Sequence, residues 1–246
     1  MKTLRYMAAA LAAAGLMAAP ANATTFIFKG AGNNVTPTNT ADYACASTIA
    51  PTDICNVQDD EGVWGSLDYE LDGISFSVNG YSDDELTRLI QDRNPKGSGL
   101  GVWSEFGDPS ADQTQSSAGE AIEFVFDKMV RVTDVEFNAG SDTSCPNVTP
   151  ATVEGTCGSF LLEVFDASDA LLFSMIYDVT NVDILAQLGV AGVRFLLTAL
   201  DMGEDWPTGF VIGQFSVSEV PVPAALPLLL SGLAGLGFAS RRRKAA

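Results

Sequence analysis

The chain has 246 residues, of which 31 are acidic and 13 basic, and it contains no histidine. The missing histidine excludes Ser-His-Asp and Cys-His catalysis, HExxH machinery and His-ligated zinc or iron. All 31 acidic residues but only seven basic ones lie between residues 24 and 219, so this part has a net charge of −24. Such a charge keeps a protein soluble, attracts cations and argues against nucleic acid as a partner.

The first 23 residues have the pattern of a secretory signal peptide. Lys2 and Arg5 precede an apolar stretch at residues 7–19, and Ala21 and Ala23 form a small-residue cleavage site around Asn22. We predict that the export machinery handles this segment and that cleavage follows Ala23.

Residues 24–219 are long enough for one domain with a substantial core. Apolar and polar residues alternate on both sides of Asp72-Gly73, a dipeptide typical of type I′ turns. A two-residue hairpin there would pair Leu71 with Ile74, Tyr69 with Phe76 and Leu67 with Val78. All six of these side chains would then lie on one face of the sheet.

Alternating or apolar runs bounded by turn signals predict further strands downstream and upstream of this hairpin. Asp169-Ala170 suggests a second tight hairpin between two of them. The pattern favours an all-β fold, an antiparallel β-sandwich or jelly roll. The predicted strands are near residues 25–28, 121–126, 130–138, 160–165, 171–177, 193–198 and 210–217.

Two segments have local patterns of helix. Residues 82–85, Ser-Asp-Asp-Glu, have the form of a capping box before Leu86, Leu89 and Ile90, so local rules predict a short helix. Residues 183–188 are predicted to form one helical turn across an end of the sandwich.

All four cysteines lie in the part predicted to be exported, where oxidation is expected. Four cysteines allow three pairings, and we prefer the two between sequence neighbours, Cys45 with Cys55 and Cys145 with Cys157. A zinc site is the alternative, but the spacing lacks C-x-x-C and no histidine is present.

Paired carboxylates remain as the one type of catalytic machinery that the composition allows, as in glycoside hydrolysis. Acids are too numerous for a pair to be selected, and Glu120 and Glu123 are predicted to be strand-edge residues. We therefore expect no enzyme activity and no required cofactor.

Calcium is the more plausible small ligand because it binds six to eight oxygens. Solvated acidic loops are nevertheless the more usual origin of such clusters, so no metal site is assigned. Asp68, Glu70 and Asp72 imitate the start of an EF-hand, but the hairpin pattern around them favours strands. The candidate clusters are Asp59 with Asp60 and Glu61, Asp108 with Asp112, and Glu204 with Asp205.

Three tryptophans, Trp64, Trp103 and Trp206, could stack on sugar rings, although burial in a β core is the commoner role. Trp206 lies in the most loop-like context and is our candidate for carbohydrate contact.

The last 27 residues contain three features in a fixed order. A Pro-containing motif is followed by an uncharged apolar stretch at about residues 224–240, which could span roughly 25 Å as a helix. A basic cluster then ends the chain and would stay on the cytoplasmic side, which places the body on the opposite side of the membrane. The motif is Val220, Pro221, Val222, Pro223 and Ala224, and the cluster is Arg241, Arg242, Arg243 and Lys244.

This tail resembles a PEP-CTERM sorting signal of the VPLPA type, with Val222 where leucine is usual. The resemblance implies a Gram-negative bacterium with an exosortase, which would process residues 220–246 near the motif. It also implies delivery to the cell surface or to an extracellular polysaccharide matrix.

The body carries a weaker resemblance to exported β-sandwich domains that have such tails. It rests on Gly99–Val102, on an acidic polar loop with Asp108 and Asp112, and on the two apolar segments at residues 120–127 and 130–137. The resemblance implies a strand at residues 82–85, where local rules predict a short helix. Together these patterns predict an exported structural or adhesive protein associated with exopolysaccharide. The alternatives are a secreted carboxylate-dependent glycoside hydrolase or lyase, and a protein that its helix retains permanently in the inner membrane, facing the periplasm.

Overall fold

A computed structural model describes residues 23–28, 33–39, 54–92, 99–102, 114–115, 119–138, 159–178, 189–200 and 209–220. These residues form strands and their connections, so the predicted all-β, antiparallel class is confirmed. All of them except Val220 lie within one compact unit, Asn22–Glu219. The helical turn predicted at residues 183–188 lies outside the described residues.

The described residues form thirteen strands. The strand predictions made from alternation are confirmed, except that the two segments predicted at residues 121–126 and 130–138 form one continuous strand. The strands are β1 Ala23–Ile27, β2 Ile54–Cys55, β3 Leu67–Leu71, β4 Ile74–Ser82, β5 Glu85–Thr87, β6 Leu89–Asp92, β7 Gly99–Val102, β8 Thr114–Gln115, β9 Ala121–Asn138, β10 Ser159–Phe165, β11 Leu171–Asp178, β12 Ala191–Leu200 and β13 Gly209–Glu219.

Strand β9 organises the sheet. One of its edges pairs with β12, and the opposite edge pairs first with β4 and then, from Val130 onwards, with β13. The main order of strands is β11-β10-β12-β9-β13-β7-β6-β2, and all pairings are antiparallel. Register shifts interrupt the ladders of β9 with β12 and with β13, as bulges do where a long strand bends.

The hairpin of β3 and β4 forms as predicted. Its register pairs Leu71 with Ile74, Tyr69 with Phe76 and Leu67 with Val78. The turn residues Asp72 and Gly73 have φ angles of 52° and 77°, the positive values that a type I′ turn requires. Five of the six paired side chains are buried, and Leu71 packs against the core.

The short helix that local rules predict at residues 82–85 is wrong, and the β-structure that the resemblance implies there is found. Strand β4 instead turns at Asp83 and Asp84, whose φ angles are 50° and 65°, and returns as β5 with Ser82 opposite Glu85. Aspartate is one of the few non-glycine residues that adopt this left-handed region readily. The sequence therefore forms a second two-residue hairpin where a capping box was predicted.

Strands β10 and β11 form the hairpin predicted around Asp169-Ala170, with a connection of five residues. Asp166 organises it because its carboxylate accepts hydrogen bonds from the backbone N–H groups of Ser168 and Ala170 and from the Ser168 hydroxyl. These hydrogen bonds lower the pKa of Asp166. Asp169 has a φ of 62° and completes the turn.

Aromatic rings from several strands meet in the core. The ring of Phe124 on β9 stacks on that of Phe215 on β13 at 4.4 Å, and Phe26 on β1 meets Phe76 on β4 edge-on at 4.6 Å. Edge-to-face and offset-stacked rings are the favoured geometries and add to the hydrophobic gain of burial. The fully buried aromatic residues at this core are Tyr69, Phe26, Phe28, Phe124, Phe160, Phe195 and Phe215.

Candidate functional site: a polar cluster on the outer face

The face of β4, β9 and β12 opposite the aromatic core carries a group of polar side chains. Here we call this face the outer face, and the group of Asn79, Tyr81, Glu123 and Arg194 the Glu123 cluster. Asn79 lies directly opposite Glu123 in the ladder between β4 and β9, and Arg194 pairs with Val125 on the other edge of β9. Because alternate residues of a strand point to the same face, the cluster shares one side of three neighbouring strands.

Glu123 is the centre of the cluster and is only 6% exposed. One carboxylate oxygen, Oε2, accepts hydrogen bonds from Asn79 Nδ2 at 2.9 Å and from the Tyr81 hydroxyl at 2.8 Å. The other oxygen, Oε1, accepts from Arg194 Nη1 at 3.0 Å. The three donors lie on β4 and β12, the two strands that flank β9. They satisfy the hydrogen-bonding needs of this buried charge, as buried charges require.

Arg194 extends the cluster towards the β10–β11 connection. Its Nε lies 3.2 Å from Asp169 Oδ1, although Asp169 is 81% exposed at its side chain. Its guanidinium also lies 3.7 Å from the ring centroid of Phe165, the distance of a cation–π contact. The Arg194 side chain therefore connects β12 with Glu123 of β9 and with the hairpin of β10 and β11.

Tyr81 acts in this cluster as a hydrogen-bond donor. Burial raises the pKa of its phenol above the usual value of 10, and the hydrogen bond to Glu123 and the negative charge of that carboxylate raise it further. The phenol therefore keeps its proton at physiological pH. The cluster therefore links the three strands β4, β9 and β12 through one buried carboxylate.

The prediction that Glu120 and Glu123 are strand-edge residues is wrong. Both are buried, and β9 has partner strands on both of its edges. Glu120 directly precedes β9, and its carbonyl oxygen accepts a hydrogen bond from the Ala199 N–H at 2.9 Å. Since the two residues are an odd number of positions apart along an extended segment, their side chains point to opposite faces.

The acidic loop at Asp59, Asp60 and Glu61 uses one carboxylate for its own turn. Asp59 Oδ1 accepts hydrogen bonds from the backbone N–H groups of Glu61 and Val63, both at 2.9 Å. Across the part of the chain that the structure describes, no three acidic or cysteine side chains converge as metal ligands. The other candidate calcium clusters, Asp108 with Asp112 and Glu204 with Asp205, lie outside that part.

The EF-hand-like spacing at Asp68, Glu70 and Asp72 belongs to the first hairpin, as predicted. Cys55 is disulfide-bonded, and Cys45, Cys145 and Cys157 lie outside the described residues.

Trp64 is partly buried, with the Arg88 guanidinium 4.8 Å from its ring centroid. Its ring therefore contacts a cation, which is neither of the two roles that the sequence suggested. Trp103 and Trp206 lie outside the described residues, so sugar stacking at Trp206 stays a prediction.

The first and last strands along the chain that the structure describes, β1 and β13, lie side by side. Ala23, the last residue of the predicted signal peptide, pairs with Ser218 near the end of β13. Lys128 donates a hydrogen bond to the Gly73 carbonyl oxygen at 2.7 Å and forms an ion pair with Glu219, which directly precedes Val220. Antiparallel pairing thus brings the chain into and out of the sheet at the same end.

Most of the predicted targeting residues lie outside the described residues. They are Ala21 of the cleavage site, Pro221, Val222, Pro223 and Ala224 of the motif, and the cluster Arg241, Arg242, Arg243 and Lys244. No described residue belongs to a helix with the length and apolar character needed to cross a bilayer.

Sequence reasoning missed Asn79, Tyr81 and Arg194 as partners of Glu123. One signal was present, because Arg194 is the only charged residue in the apolar run at residues 190–200 and so required a buried or stacked partner. Comparison of the chain with protein-family models, with curated proteins and with solved structures gave no significant match. The description of the site therefore depends on its own geometry.

Proposed function

We propose that this protein is an exported, non-enzymatic β-sandwich protein that its C-terminal tail sorts to the cell surface or extracellular matrix. Its role there is structural or adhesive, in association with exopolysaccharide. In this proposal residues 1–23 are removed as a signal peptide. Residues 220–246 hold the protein in the inner membrane until an exosortase-type enzyme processes them.

The observation that carries the proposal is the pairing of β1 with the end of β13, where Thr24, the first residue after the proposed cleavage, lies opposite Val217. The segment with the signal-peptide pattern and the segment with the sorting-signal pattern adjoin neighbouring strand ends. After removal of residues 1–23, the mature chain would begin beside the strand from which the sorting segment continues. The order of Pro-containing motif, apolar stretch and basic cluster supplies the sorting part of the argument.

The stacking of Phe124 on Phe215 supports the two-layered form of the domain. Phe124 lies in the first half of β9, which pairs with β4 and β12, whereas Phe215 lies opposite Val135 in the second half. Rings that are distant along the ladders but in contact are typical of a sheet that folds over its own core, as in sandwiches and jelly rolls.

The Glu123 cluster supports a structural role for the buried polar groups. Its carboxylate already accepts hydrogen bonds from Asn79, Tyr81 and Arg194, which are the contacts of an anchor between strands. The net charge of −24 on residues 24–219 suits a soluble protein outside the cell.

The test follows the C-terminus in the native host by intact mass and cell fractionation. We expect the wild-type chain to lose everything after about Val220 and to leave the inner membrane. Replacing Pro221 and Pro223 by alanine should leave the tail intact and the protein in the inner membrane. Pro207→Ala, a proline outside the motif, is the matched control and should be processed normally.

Two results would contradict the proposal. Wild-type protein that keeps its tail in the inner membrane would indicate permanent anchoring towards the periplasm. Released protein that still carries residues 225–246 would exclude processing at the motif.

The adhesive part of the proposal has a separate test at Trp206. Trp206→Ala should reduce retention of the protein by the host's polysaccharide, because stacked aromatic rings are a main source of contact with sugars. Trp64→Ala is the control, since that ring already contacts Arg88. Unchanged retention of the Trp206 variant would remove this residue from the adhesive surface.

A further inference from the structure

The last strand of the sheet order, β11, exposes an unusual amount of apolar surface. Leu171, Leu172, Met175 and Ile176 are 52%, 49%, 45% and 61% exposed. Met175 and Ile176 pair with Leu162 and Leu161 of β10, so they lie on opposite faces of the strand. The exposure therefore affects both faces of β11.

Among the described strands, β11 pairs only with β10, which leaves one of its backbone edges without a described partner strand. Proteins usually protect such an edge with charged side chains, proline or a bulge that distorts it. The one register shift of this hairpin lies between Val164 and Phe165, at the turn end of the ladder. From Leu171 to Tyr177 the strand has no charged residue and no proline.

The contrast with β3 shows how another edge strand of this sheet is protected. Strand β3 also has one described partner, β4, and its apolar residues face the core. The outer edge of β3 is nevertheless covered, because the Asp68 carbonyl oxygen accepts a hydrogen bond from the Thr38 N–H at 2.7 Å and the Asp68 N–H donates one to Asn39 Oδ1 at 3.0 Å. In a domain with 31 acidic residues, an edge such as β11, which has neither a charged side chain nor a covering segment among the described residues, points to pairing.

The sequence of β11 is complementary to itself in the antiparallel direction. With a two-fold axis at Ser174, Leu172 lies opposite Ile176 of a second strand, and Phe173 lies opposite Met175. Ser174 of one strand then lies opposite Ser174 of the other at the axis. A two-fold interface requires this reciprocity, since each residue must fit the partner's residue and the reverse.

We propose that β11 is a self-association edge, at which two copies of this chain pair antiparallel around Ser174 and continue the sheet from one copy into the other. Main-chain hydrogen bonds would supply the attraction, and the exposed apolar side chains would pack against those of the second copy. The pairing does not depend on the proposed function.

Charge and size set the strength of this contact. Two bodies with a net charge of −24 each repel one another, and added salt screens that repulsion. Seven residues per copy are few beside the roughly 20–30 residues on each side of a stable interface, so the contact is weak and becomes populated where copies are crowded.

A cysteine at the axis tests the proposal in the full-length chain expressed with its own export signal. In Ser174→Cys the two thiols would lie on residues whose Cα atoms are about 4.5–5.5 Å apart, within the range for a disulfide. We expect a disulfide-linked dimer on non-reducing gels. Ser168→Cys is the matched control, because Ser168 is also exposed and lies in the same hairpin but far from the axis.

A second substitution separates pairing from random collision. Ile176→Lys, introduced into the Ser174→Cys chain, should abolish the dimer because it places a charge on the edge, while its 61% exposure leaves the fold intact. Raising the salt concentration should increase the cross-linked fraction of the Ser174→Cys chain.

Three results would overturn the proposal. The first is a dimer yield for Ser174→Cys no higher than for Ser168→Cys. The second is a dimer that persists with Ile176→Lys. The third is a cross-linked product whose mass identifies another protein, which would make β11 an edge for a different partner. Sorting of the tail is measured separately by intact mass, so failure of this proposal is distinguishable from failure of the proposed function.

Discussion

The two hairpins near the ends of the sheet, β3–β4 and β10–β11, have similar ladders but different surroundings. In the first, the paired side chains of Tyr69 and Phe76 are buried. In the second, Phe160 pairs with the buried Tyr177, whereas Ile176, opposite Leu161, is exposed. The first hairpin has β9 beyond its second strand, while β11 has no further described strand beyond it.

This difference shows that the burial of a strand is decided by its neighbours rather than by its own pattern. Phe76 of β4 packs beside Phe124 and Phe126 of the neighbouring strand β9, on the core face of the sheet. On β11, Phe173 and Tyr177 pack against the core, whereas four apolar side chains are exposed and available for contact, Leu171, Leu172, Met175 and Ile176. The first hairpin therefore stabilises the domain, and the second offers a surface.

The strongest test of the comparison removes one apolar side chain from each hairpin. Phe76→Ala should lower the free energy of unfolding by about 3–5 kcal/mol because its ring contacts four other aromatic rings. Ile176→Ala on β11 should change it by less than about 0.5 kcal/mol. Urea denaturation at low protein concentration measures both, and similar losses for the two variants would refute the distinction.

Arg194 connects the second hairpin to the centre of the sheet. Arg194→Met should cost about 3 kcal/mol because it leaves the Glu123 carboxylate buried without its cation. The double variant Glu123→Leu, Arg194→Met should recover a large part of this loss, since no buried charge remains. If the double variant is as unstable as the sum of the two single variants, the ion pair is not coupled as described.

Substitutions in the turn of the first hairpin should have a smaller effect on the free energy of unfolding. Gly73→Ala should cost about 1–2 kcal/mol because the φ of +77° is unfavourable for a residue with a Cβ atom. Gly73→Asn should cost less, since asparagine tolerates this region. Gly65→Ala, where a Cβ would meet only the Val57 carbonyl at 3.4 Å, is the control. Equal losses at the two positions would contradict the assigned turn type.

The smallest expected effect concerns pH. The pKa of Tyr81 is raised in the folded protein, chiefly by burial, so the unfolded chain releases this proton first, near pH 10. Stability should therefore fall as pH rises through 10, and the fall should be shallower in Tyr81→Phe. Tyr177, whose pKa burial also raises, contributes equally to both proteins. Parallel curves of unfolding free energy between pH 9 and 11 would show that Tyr81 is not linked in this way.

Local sequence predicted the first hairpin completely because its register depends on two turn residues and on alternation, both of which are local. The same kind of reasoning failed at residues 82–85, since Ser-Asp-Asp-Glu fits both a capping box and a turn with two aspartates at positive φ. The continuing ladder of β4 with β9 determines the outcome, and that ladder is a non-local contact.

The Glu123 cluster could not be predicted from the residues near Glu123. Its cation, Arg194, is 71 positions away, and its other donors precede it by more than 40 positions. The exposure of apolar side chains on β11 could not be predicted either, because an apolar strand is normally expected to be covered. Both features depend on which strands become neighbours.

The two-sided pairing of β13 has a mechanical consequence. Over its last residues β13 is hydrogen-bonded to β9 on one edge and to β1 on the other, and Glu219 is held by Lys128. A pull on the chain beyond Glu219, directed along the strand, loads both ladders in shear, so that many hydrogen bonds resist together. Such a strand is suited to bear tension applied through the chain that follows Glu219.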